Sequence, residues 1–214
     1  MKQEQNNRTL FIATSSWNSN NPVSQQFQCL AEKLAEQGNK VIVLVPKNRG
    51  KITSQETNLE VLFWPSKRPT KLSDAWFLYL TVRKYNPVCL ISNFAATNWM
   101  MIVGKATRIP VRIDWYHTLQ KAILIDSRVN PVITKFLIFR KALIYRLATH
   151  LVPVSCAAAE DIQTTFHVAP SKCTVIHNLL ADPLSTIISR EIERQVVITC
   201  VGQLDQSKGH DVLV

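Results

Sequence analysis

Residues 9–45 read TLFIATSSWNSNNPVSQQFQCLAEKLAEQGNKVIVLV, and they predict a strand, a helix and a second strand. Two apolar runs, 9–14 and 40–45, are typical of short buried strands. Between them, residues 23–37 carry apolar side chains at the three- and four-residue spacing of a helix, and Gly38 marks its C-terminal stop. Because a helix of this length joins two parallel strands, the stretch predicts a parallel sheet.

The alternation of strands and helices continues along the chain. Apolar runs predict strands at 59–64, 88–92, 111–115, 151–154 and 173–177, and helical spacing predicts helices at 73–85, 95–107, 131–149 and 156–166. Ser73 or Asp74 is the expected cap of the helix at 73–85. This order predicts an α/β fold, a doubly wound Rossmann-like parallel sheet of about seven strands.

A second domain is expected to begin near the end of the sequence. We divide the chain into a first domain at 1–178, a linker at 179–194 and the start of an incomplete second Rossmann-like domain at 195–214. In the last part an apolar run predicts a strand, Gly202 opens a turn, and the final residues read as the first turn of a helix. Such a turn can hold a phosphate through the N–H groups of the helix N-terminus and the charge of Lys208.

Charge favours some classes of partner over others. The formal net charge is +10, and six Lys and Arg residues lie between Lys121 and His150 against one acid, Asp126. Nucleotide phosphates and an anionic membrane surface are therefore plausible partners, although an ordinary basic domain has the same composition. Nucleic acid is not expected, because the chain has no recognition motif and no basic stripe interleaved with aromatic residues.

Cysteine and glycine usage excludes several kinds of site. The five cysteines lie far apart with no C-x-x-C pair, which argues against a zinc site or a disulfide framework and fits a reducing compartment. Only five glycines occur, so neither a G-x-G-x-x-G loop nor a Walker A loop can be built. The polar N-terminus has no signal-peptide pattern, and a cytoplasmic protein is expected, with peripheral contact at the inner face of the membrane as a further possibility.

The predicted helix at 131–149 is open to two interpretations. It is basic, but its cationic residues do not share one face. One interpretation is a mostly buried helix whose cationic heads reach out to water. The other is a helix that lies against an anionic membrane.

Polar residues at the ends of predicted strands are the candidate site residues, because ligands of open parallel sheets bind beyond the C-terminal ends of the strands. They are Ser16, Asn93, His117 and Ser155, with Asn178 near the linker. His117 is either a hydrogen-bonding or acid–base group at a sugar, or a structural histidine. Ser155 is most simply the N-cap of the next helix.

Asp114, three residues before His117, is open to two interpretations as well. It is either a general base or a cap for the segment that follows its strand.

Three segments in this order resemble glycosyltransferases of family 4, which have the GT-B fold. They are LVPVS at 151–155 with AAAEDI after it, CTVIHN at 173–178 and VGQLDQSKG at 201–209. The last is similar to the first donor-binding loop of the family's second domain. Tyr116-His117-Thr118 stands where many members have a histidine at the domain cleft.

The resemblance implies transfer of a sugar from a nucleotide-sugar donor to a glycan or lipid-linked acceptor, without a cofactor or a required metal. Lys208 and Gln203 would contact the donor diphosphate, which the backbone would approach at Gly202 and Gly209. His117 would be the catalytic residue that faces the transferred sugar. The first domain would hold the acceptor, in a cleft lined by the candidate residues named above.

The chain departs from the family pattern at several places. Gln203 stands where many members have an arginine, and Leu179 stands where a glycine follows the asparagine. Many members also have a glycine pair after the first strand, where this chain reads SNNP at 19–22. The family's paired glutamates would lie beyond Val214. Whether this chain is itself an enzyme therefore stays open, and the alternative is a non-catalytic module that binds a glycan acceptor or an anionic membrane.

Overall fold

The computed structural model describes residues 8–17, 21–47, 58–120 and 131–179. Its strands are β1 (Thr9–Ala13), β2 (Lys40–Val45), β3 (Leu59–Phe63), β4 (Cys89–Asn93), β5 (Val111–Tyr116) and β6 (His150–Pro153). Its α-helices are α1 (Pro22–Glu36), α2 (Leu72–Tyr85), α3 (Thr97–Ala106), α4 (Pro131–Leu147) and α5 (Cys156–Phe166). Short 3-10 turns occupy Phe94–Ala96 and Pro170–Lys172.

The six strands form one parallel sheet in the order β3-β2-β1-β4-β5-β6. Phe11 in the middle of β1 lies opposite Ile42 of β2 and Leu90 of β4. The chain winds outward from β1 first in one direction and then, from β4 onward, in the other. The C-terminal ends of β1 and β4 therefore meet at a topological switch point, where ligands of such sheets bind.

Helices cover both faces of the sheet, which confirms the predicted doubly wound α/β fold. Consecutive strand residues alternate between the faces, so that Phe11 packs into one buried cluster and Ile12 into the other. Residues of α2, α3, α4 and α5 fill the first cluster. Phe27 of α1 belongs to the second. Strands that are buried on both sides carry apolar residues at nearly every position, and this made them visible in the sequence.

The structure corrects two sequence predictions. The predicted strand at 173–177 is an extended segment beside β6, because it forms one isolated bridge, between Leu151 and Cys173, and two further backbone bonds to β6. Neither Ser73 nor Asp74 caps α2, which begins at Leu72. Asp74 instead accepts a hydrogen bond from the N–H of Lys71 at 2.9 Å from within the first turn.

The close approach of α3 to the sheet depends on Gly104. A Cβ atom there would lie 2.6 Å from Cδ1 of Leu90 and 3.0 Å from Cδ of Arg112, which is closer than side chains pack. Arg112 in turn donates from Nε to the carbonyl of Leu147 at 2.7 Å and so holds the end of α4 against β5. Helices α3 and α4 thus stand side by side against β5, and their C-terminal parts meet it near its start, at Arg112.

Helix α4 is largely exposed in its first three turns, so the interpretation of it as a mostly buried helix is wrong. Val132, Phe136, Phe139 and Leu143 recur at four- and three-residue spacing and form one stripe, whose side chains are 74%, 63%, 62% and 41% exposed. Ile138 and Ala142 pack partly against the core, and among the described residues of α4 the buried ones are Ile144 and Tyr145 in the last turns. Within the described residues, no helix combines the length and the hydropathy needed to cross a bilayer.

Candidate functional site

Two adjoining cavities open at the C-terminal edge of the sheet. The smaller, of about 290 Å³, lies over the ends of β1 and β4, and Thr14 and Asn93 line it. The larger, of about 640 Å³, lies between α3, α4 and the end of β5. Arg68 and Phe94 line both cavities. We call the larger cavity the cleft; its volume lies within the range of small-molecule sites.

His117 lines the cleft directly after β5, but its ring is covered. The rings of Phe94 and His117 stack with centroids 5.0 Å apart, and Phe27 approaches from another side at 6.2 Å. Both ring nitrogens are buried and have no hydrogen-bond partner. Burial lowers the pKa of His117 to about 4. The imidazole is therefore neutral at neutral pH and keeps one donor and one acceptor for a ligand.

Phe94 covers one face of the His117 ring. Its φ angle of 51° lies in the left-handed region, which a bulky residue adopts only at a cost of about 1 kcal/mol or more. Its side chain is 46% exposed and covers the histidine. Because both ring nitrogens of His117 are buried, a ligand can reach them only after neighbouring side chains have moved.

The other candidate residues are not gathered around His117. Asn93 is buried at the smaller cavity, where Nδ2 is 3.5 Å from Thr14 Oγ1 and Oδ1 has no partner. The hydroxyl of Ser16 forms a hydrogen bond with that of Ser24, with the two Oγ atoms 2.7 Å apart. Ser16 does not line the cleft. Ser155 accepts a hydrogen bond from the N–H of Ala158 at 3.1 Å and N-caps α5.

Asn178 is exposed beyond the edge of the sheet. The donor-binding candidates Gly202, Gln203, Lys208 and Gly209 lie outside the described residues, and so does the predicted linker beyond Leu179.

Asp114 is a buried carboxyl at the bottom of the cleft. Its Oδ1 accepts a hydrogen bond from Ser92 Oγ at 3.1 Å and another from Thr97 Oγ1. Burial raises its pKa to about 7, although the two hydrogen bonds and the nearby charge of Lys141 act in the opposite direction. A carboxyl with a pKa near neutrality is suited to act as a general acid or base toward a bound hydroxyl.

Lys141 of α4 places its ammonium group among three aromatic rings. Its Nζ lies 4.8 Å from the centre of the Tyr116 ring, 5.1 Å from that of Phe166 and 5.5 Å from that of Tyr145. Burial lowers the pKa of Lys141, while Asp114 and Asp161 act to raise it. Cation–π contacts with three rings hold the charge in place beside the cleft.

Asp161 of α5, which the sequence analysis passed over, fixes the segment that carries His117. Its Oδ2 accepts hydrogen bonds from the hydroxyl of Tyr116 and from the N–H of Gln120, the latter at 2.7 Å. One bond lies on each side of His117. The sequence held one signal for this residue: an acidic side chain stands on the apolar face of the predicted helix, next to the buried Ile162.

The arrangement can hold a polar ligand between cationic and hydroxyl-binding groups. The cleft combines a neutral imidazole, a carboxyl that titrates near neutrality and the cations of α4. In the ranges that the structure describes, no three His, Cys, Asp or Glu side chains stand together as a metal site would need. Independence from metal stays a prediction.

Comparisons with known proteins identify the family. The model of "Glycosyltransferase Family 4" matches residues 23–180. A curated relative from Campylobacter jejuni is 29% identical over 101 residues, which are 45% of this chain and 26% of the relative. It is named N-acetylgalactosamine-N,N'-diacetylbacillosaminyl-diphospho-undecaprenol 4-alpha-N-acetylgalactosaminyltransferase. The chain thus spans about a quarter of this relative's length.

Solved structures share the fold. The lipopolysaccharide outer core galactosyltransferase WaaB matches with a TM-score of 0.57 and 10% identity, over 88% of this chain and 50% of its own. Sucrose-phosphate synthase from Thermosynechococcus elongatus matches with a TM-score of 0.55 and 13% identity, over 79% of this chain and 48% of its own. A UDP-GlcNAc 2-epimerase from Methanocaldococcus jannaschii matches with a TM-score of 0.51 and 13% identity, over 80% of this chain and 45% of its own. The fold alone therefore does not specify the reaction. Because the family model covers most of the described domain, the chain belongs to glycosyltransferase family 4, and the described domain has the fold of one half of a GT-B enzyme.

Proposed function

We propose that this protein provides the acceptor side of a glycosyltransferase that moves a sugar from a nucleotide-sugar to a lipid-linked glycan acceptor. The observation that carries the proposal is the cleft beside the switch point of a family 4 domain, at the C-terminal edge of its sheet, with His117 at its wall. The name of the Campylobacter jejuni relative, which describes transfer to a diphospho-undecaprenol-linked sugar, supports the lipid-linked acceptor. Donor contacts would come from Gln203, Lys208 and the glycines beside them.

The roles of the residues follow from their chemistry. A neutral His117 would bond a hydroxyl of the transferred sugar once the side chains that bury its ring nitrogens have moved aside. Asp114 would bond a hydroxyl of the acceptor, which is the group that must lose its proton when the new glycosidic bond forms. The leaving nucleotide diphosphate would be stabilised by Lys208, since negative charge develops there. No metal is assigned a role.

The test is transfer of radiolabelled sugar from a panel of UDP-sugars to a polyprenyl-diphosphate-linked acetamido sugar. We expect negligible transfer by the 214-residue chain and measurable transfer when the donor-binding half of the Campylobacter jejuni relative is fused behind Arg194. His117→Ala should lower transfer by the fusion by about a hundredfold, because a positioned hydrogen-bonding or acid–base group contributes about that much.

Two controls make the assay decisive. His150→Ala changes an exposed histidine at the start of β6 and should leave transfer unchanged. Binding of UDP to the fusion reports that the donor half is folded. A fusion that binds UDP but transfers no sugar would contradict the proposed function, and turnover by the 214-residue chain alone would contradict the division of roles.

A second candidate function is attachment to an anionic membrane, with or without catalysis. The exposed stripe of α4, formed by Val132, Phe136, Phe139 and Leu143, favours it. Lys135 and Arg146 flank the stripe on the helix surface by their spacing. An apolar stripe with cations beside it is the pattern of helices that lie in the headgroup region of a bilayer, and we propose that α4 docks at the inner face of the membrane.

Sedimentation with vesicles tests this attachment. We expect the protein to bind phosphatidylglycerol-containing vesicles, and Phe136→Ser/Phe139→Ser to weaken binding about tenfold, because two aromatic rings are lost from the inserted face. Leu179→Ser removes a similarly exposed apolar side chain elsewhere and serves as the control. Equal binding by the double variant, or binding that high salt does not weaken, would argue against an anionic membrane site.

A further inference from the structure

The walls of the cleft carry more positive than negative charge. Arg68 lines it from the loop before α2, and Arg140 and Lys141 line it from α4. Asp114 is the acid among the lining residues, and its carboxyl is bonded to two hydroxyls at the bottom. Within the described residues, neither Arg68 nor Arg140 forms an ion pair. Two unpaired guanidinium groups and a lysine around one cavity are suited to an anion, and most of all to phosphate.

The backbone that carries Arg68 is held in place. Ser66 Oγ donates to the carbonyl of Arg68 at 2.6 Å, and it also lies 2.7 Å from Oδ2 of Asp74. Asp74 is fully buried and accepts two further backbone hydrogen bonds, from Ser66 and Lys71. On the opposite wall, Lys141 is fixed among its three rings. A site in which the cations are positioned in advance loses less entropy when an anion binds.

Helix α4 joins the cleft to the exposed apolar stripe. Leu137, Arg140, Lys141 and Ile144 line the cleft at three- and one-residue steps, which places them on one face of the helix. The stripe that begins at Val132 occupies the neighbouring face. By this spacing, Arg140 stands at the boundary between the two faces. A molecule with an apolar tail on the stripe would therefore bring its head group to Arg140.

We propose that the cleft binds the diphosphate of an isoprenoid-diphosphate-linked acceptor, with Arg68, Arg140 and Lys141 as its cationic contacts and the isoprenoid chain along α4. This inference rests on the proposed function and deepens it, because it assigns the acceptor's phosphates to named residues. The acceptor sugar, which follows the diphosphate, would then enter the cleft toward Asp114 and His117. Asp114 does not offset the three cations, because it is a single carboxyl at the bottom of the cleft whose Oδ1 accepts hydrogen bonds from two hydroxyls.

Calorimetric titration of the 214-residue protein tests the subsite without any donor. The probes are farnesyl diphosphate, farnesol and inorganic diphosphate. We expect farnesyl diphosphate to bind at least about tenfold more tightly than either of the others, because only it has both the anion and the tail. Arg68→Gln/Arg140→Gln should weaken its binding by about tenfold or more, since two charge-assisted contacts are lost.

The matched control is Arg83→Gln/Arg108→Gln, which removes two exposed guanidinium charges away from the cleft and from α4. We expect it to change the affinity by less than about twofold. Far-ultraviolet circular dichroism verifies that both double variants are folded. Equal losses in the two double variants would overturn the proposal, because they would indicate general attraction of an anion to a basic protein.

Three other results would also overturn it. If farnesol binds as tightly as farnesyl diphosphate, the site recognises the tail alone. If inorganic diphosphate binds as tightly, the site recognises free phosphate. The third result is that the unmodified protein binds none of the probes. The outcome is separate from that of the transfer assay. Failure of binding with an active fusion would disprove this subsite only, and tight binding with an inactive fusion would uphold the subsite and contradict the proposed reaction.

Discussion

Asp161→Ala should lower the free energy of unfolding by about 3 kcal/mol. The carboxyl of Asp161 lies in the interior and accepts hydrogen bonds from the Tyr116 hydroxyl and the Gln120 N–H through one oxygen. Its other oxygen accepts from Thr165 Oγ1 at 3.2 Å. Alanine would leave two donors in the interior without a partner, and each unsatisfied group costs roughly 1–3 kcal/mol. Urea unfolding followed by circular dichroism measures the loss.

Glu160→Ala is the matched control, because Glu160 is the exposed neighbour of Asp161 on α5. Its effect should stay within about 0.5 kcal/mol, as for most surface substitutions. Asp161→Asn should fall between the two, since its amide oxygen can still accept from both Tyr116 and Gln120 but is an uncharged and weaker acceptor. Losses of equal size in Asp161→Ala and Glu160→Ala would show that the hydrogen bonds of Asp161 contribute little.

Asp161 should also affect His117 without touching it. The two bonds of Asp161 hold the chain on both sides of His117, and so they keep its ring between Phe27 and Phe94. In Asp161→Ala both bonds are lost, so the segment should loosen and admit water, and the pKa of His117 should rise from about 4 toward its ordinary value. Nuclear magnetic resonance titration of the imidazole protons measures this rise, which a loss of stability alone would not produce.

The sheet was the predictable part of this fold. A parallel strand covered on both faces is a short apolar run, and all six strands occur where such runs stand in the sequence. The helix predicted at 23–37 extends over Pro22–Glu36, because Asn21 accepts bonds from the N–H groups of Val23 and Ser24 and starts it one residue earlier. The segment at 173–177 has the apolar pattern of a strand, but it forms only one isolated bridge and two further backbone bonds to β6, which is too few for a continuous ladder.

The position of the candidate site was predictable from the sequence, but the protonation of its histidine was not. His117 follows β5 as expected, because a strand end can be located in the sequence. Its neutral form depends on burial, to which side chains from elsewhere in the chain contribute, among them Phe27 and Phe94, and these meet it only in the folded chain. The bond between Asp161 and Gln120 joins residues 41 positions apart, and no local pattern encodes it. The exposed stripe of α4 was equally hidden, because apolar residues occur around the whole helix axis.

The stability of the protein should depend on pH through two groups at the cleft that act in opposite directions. Burial raises the pKa of Asp114 from 3.8 to about 7. Its stabilising contribution is complete below the unfolded value and is lost as the pH rises through about 7. Burial lowers the pKa of His117 from 6.5 to about 4. Its contribution is complete above the unfolded value and is lost as the pH falls toward 4.

The two contributions offset each other between about pH 4 and 7, and single substitutions separate them. Asp114→Asn keeps an acceptor for Ser92 and Thr97 but cannot ionise. Relative to the unmodified protein, it should gain on the order of 2 kcal/mol as the pH rises across this window. His117→Phe loses no hydrogen bond, because neither ring nitrogen has a partner. It should gain a similar amount, on the order of 2 kcal/mol after allowance for its partial exposure, as the pH falls.

Urea unfolding at several pH values across the window measures both differences. The difference curves of Asp114→Asn and His117→Phe should slope in opposite directions, and the curve of the double variant should follow their sum, apart from a small coupling between groups that are close in space. Glu160→Ala, which alters an exposed carboxyl, should give a flat difference. Parallel slopes for the two single variants would contradict the assignment of opposite pKa shifts. A flat curve for Asp114→Asn would show that this carboxyl is ionised in the folded protein, and its role toward an acceptor hydroxyl would then have to be that of a fixed hydrogen-bond acceptor.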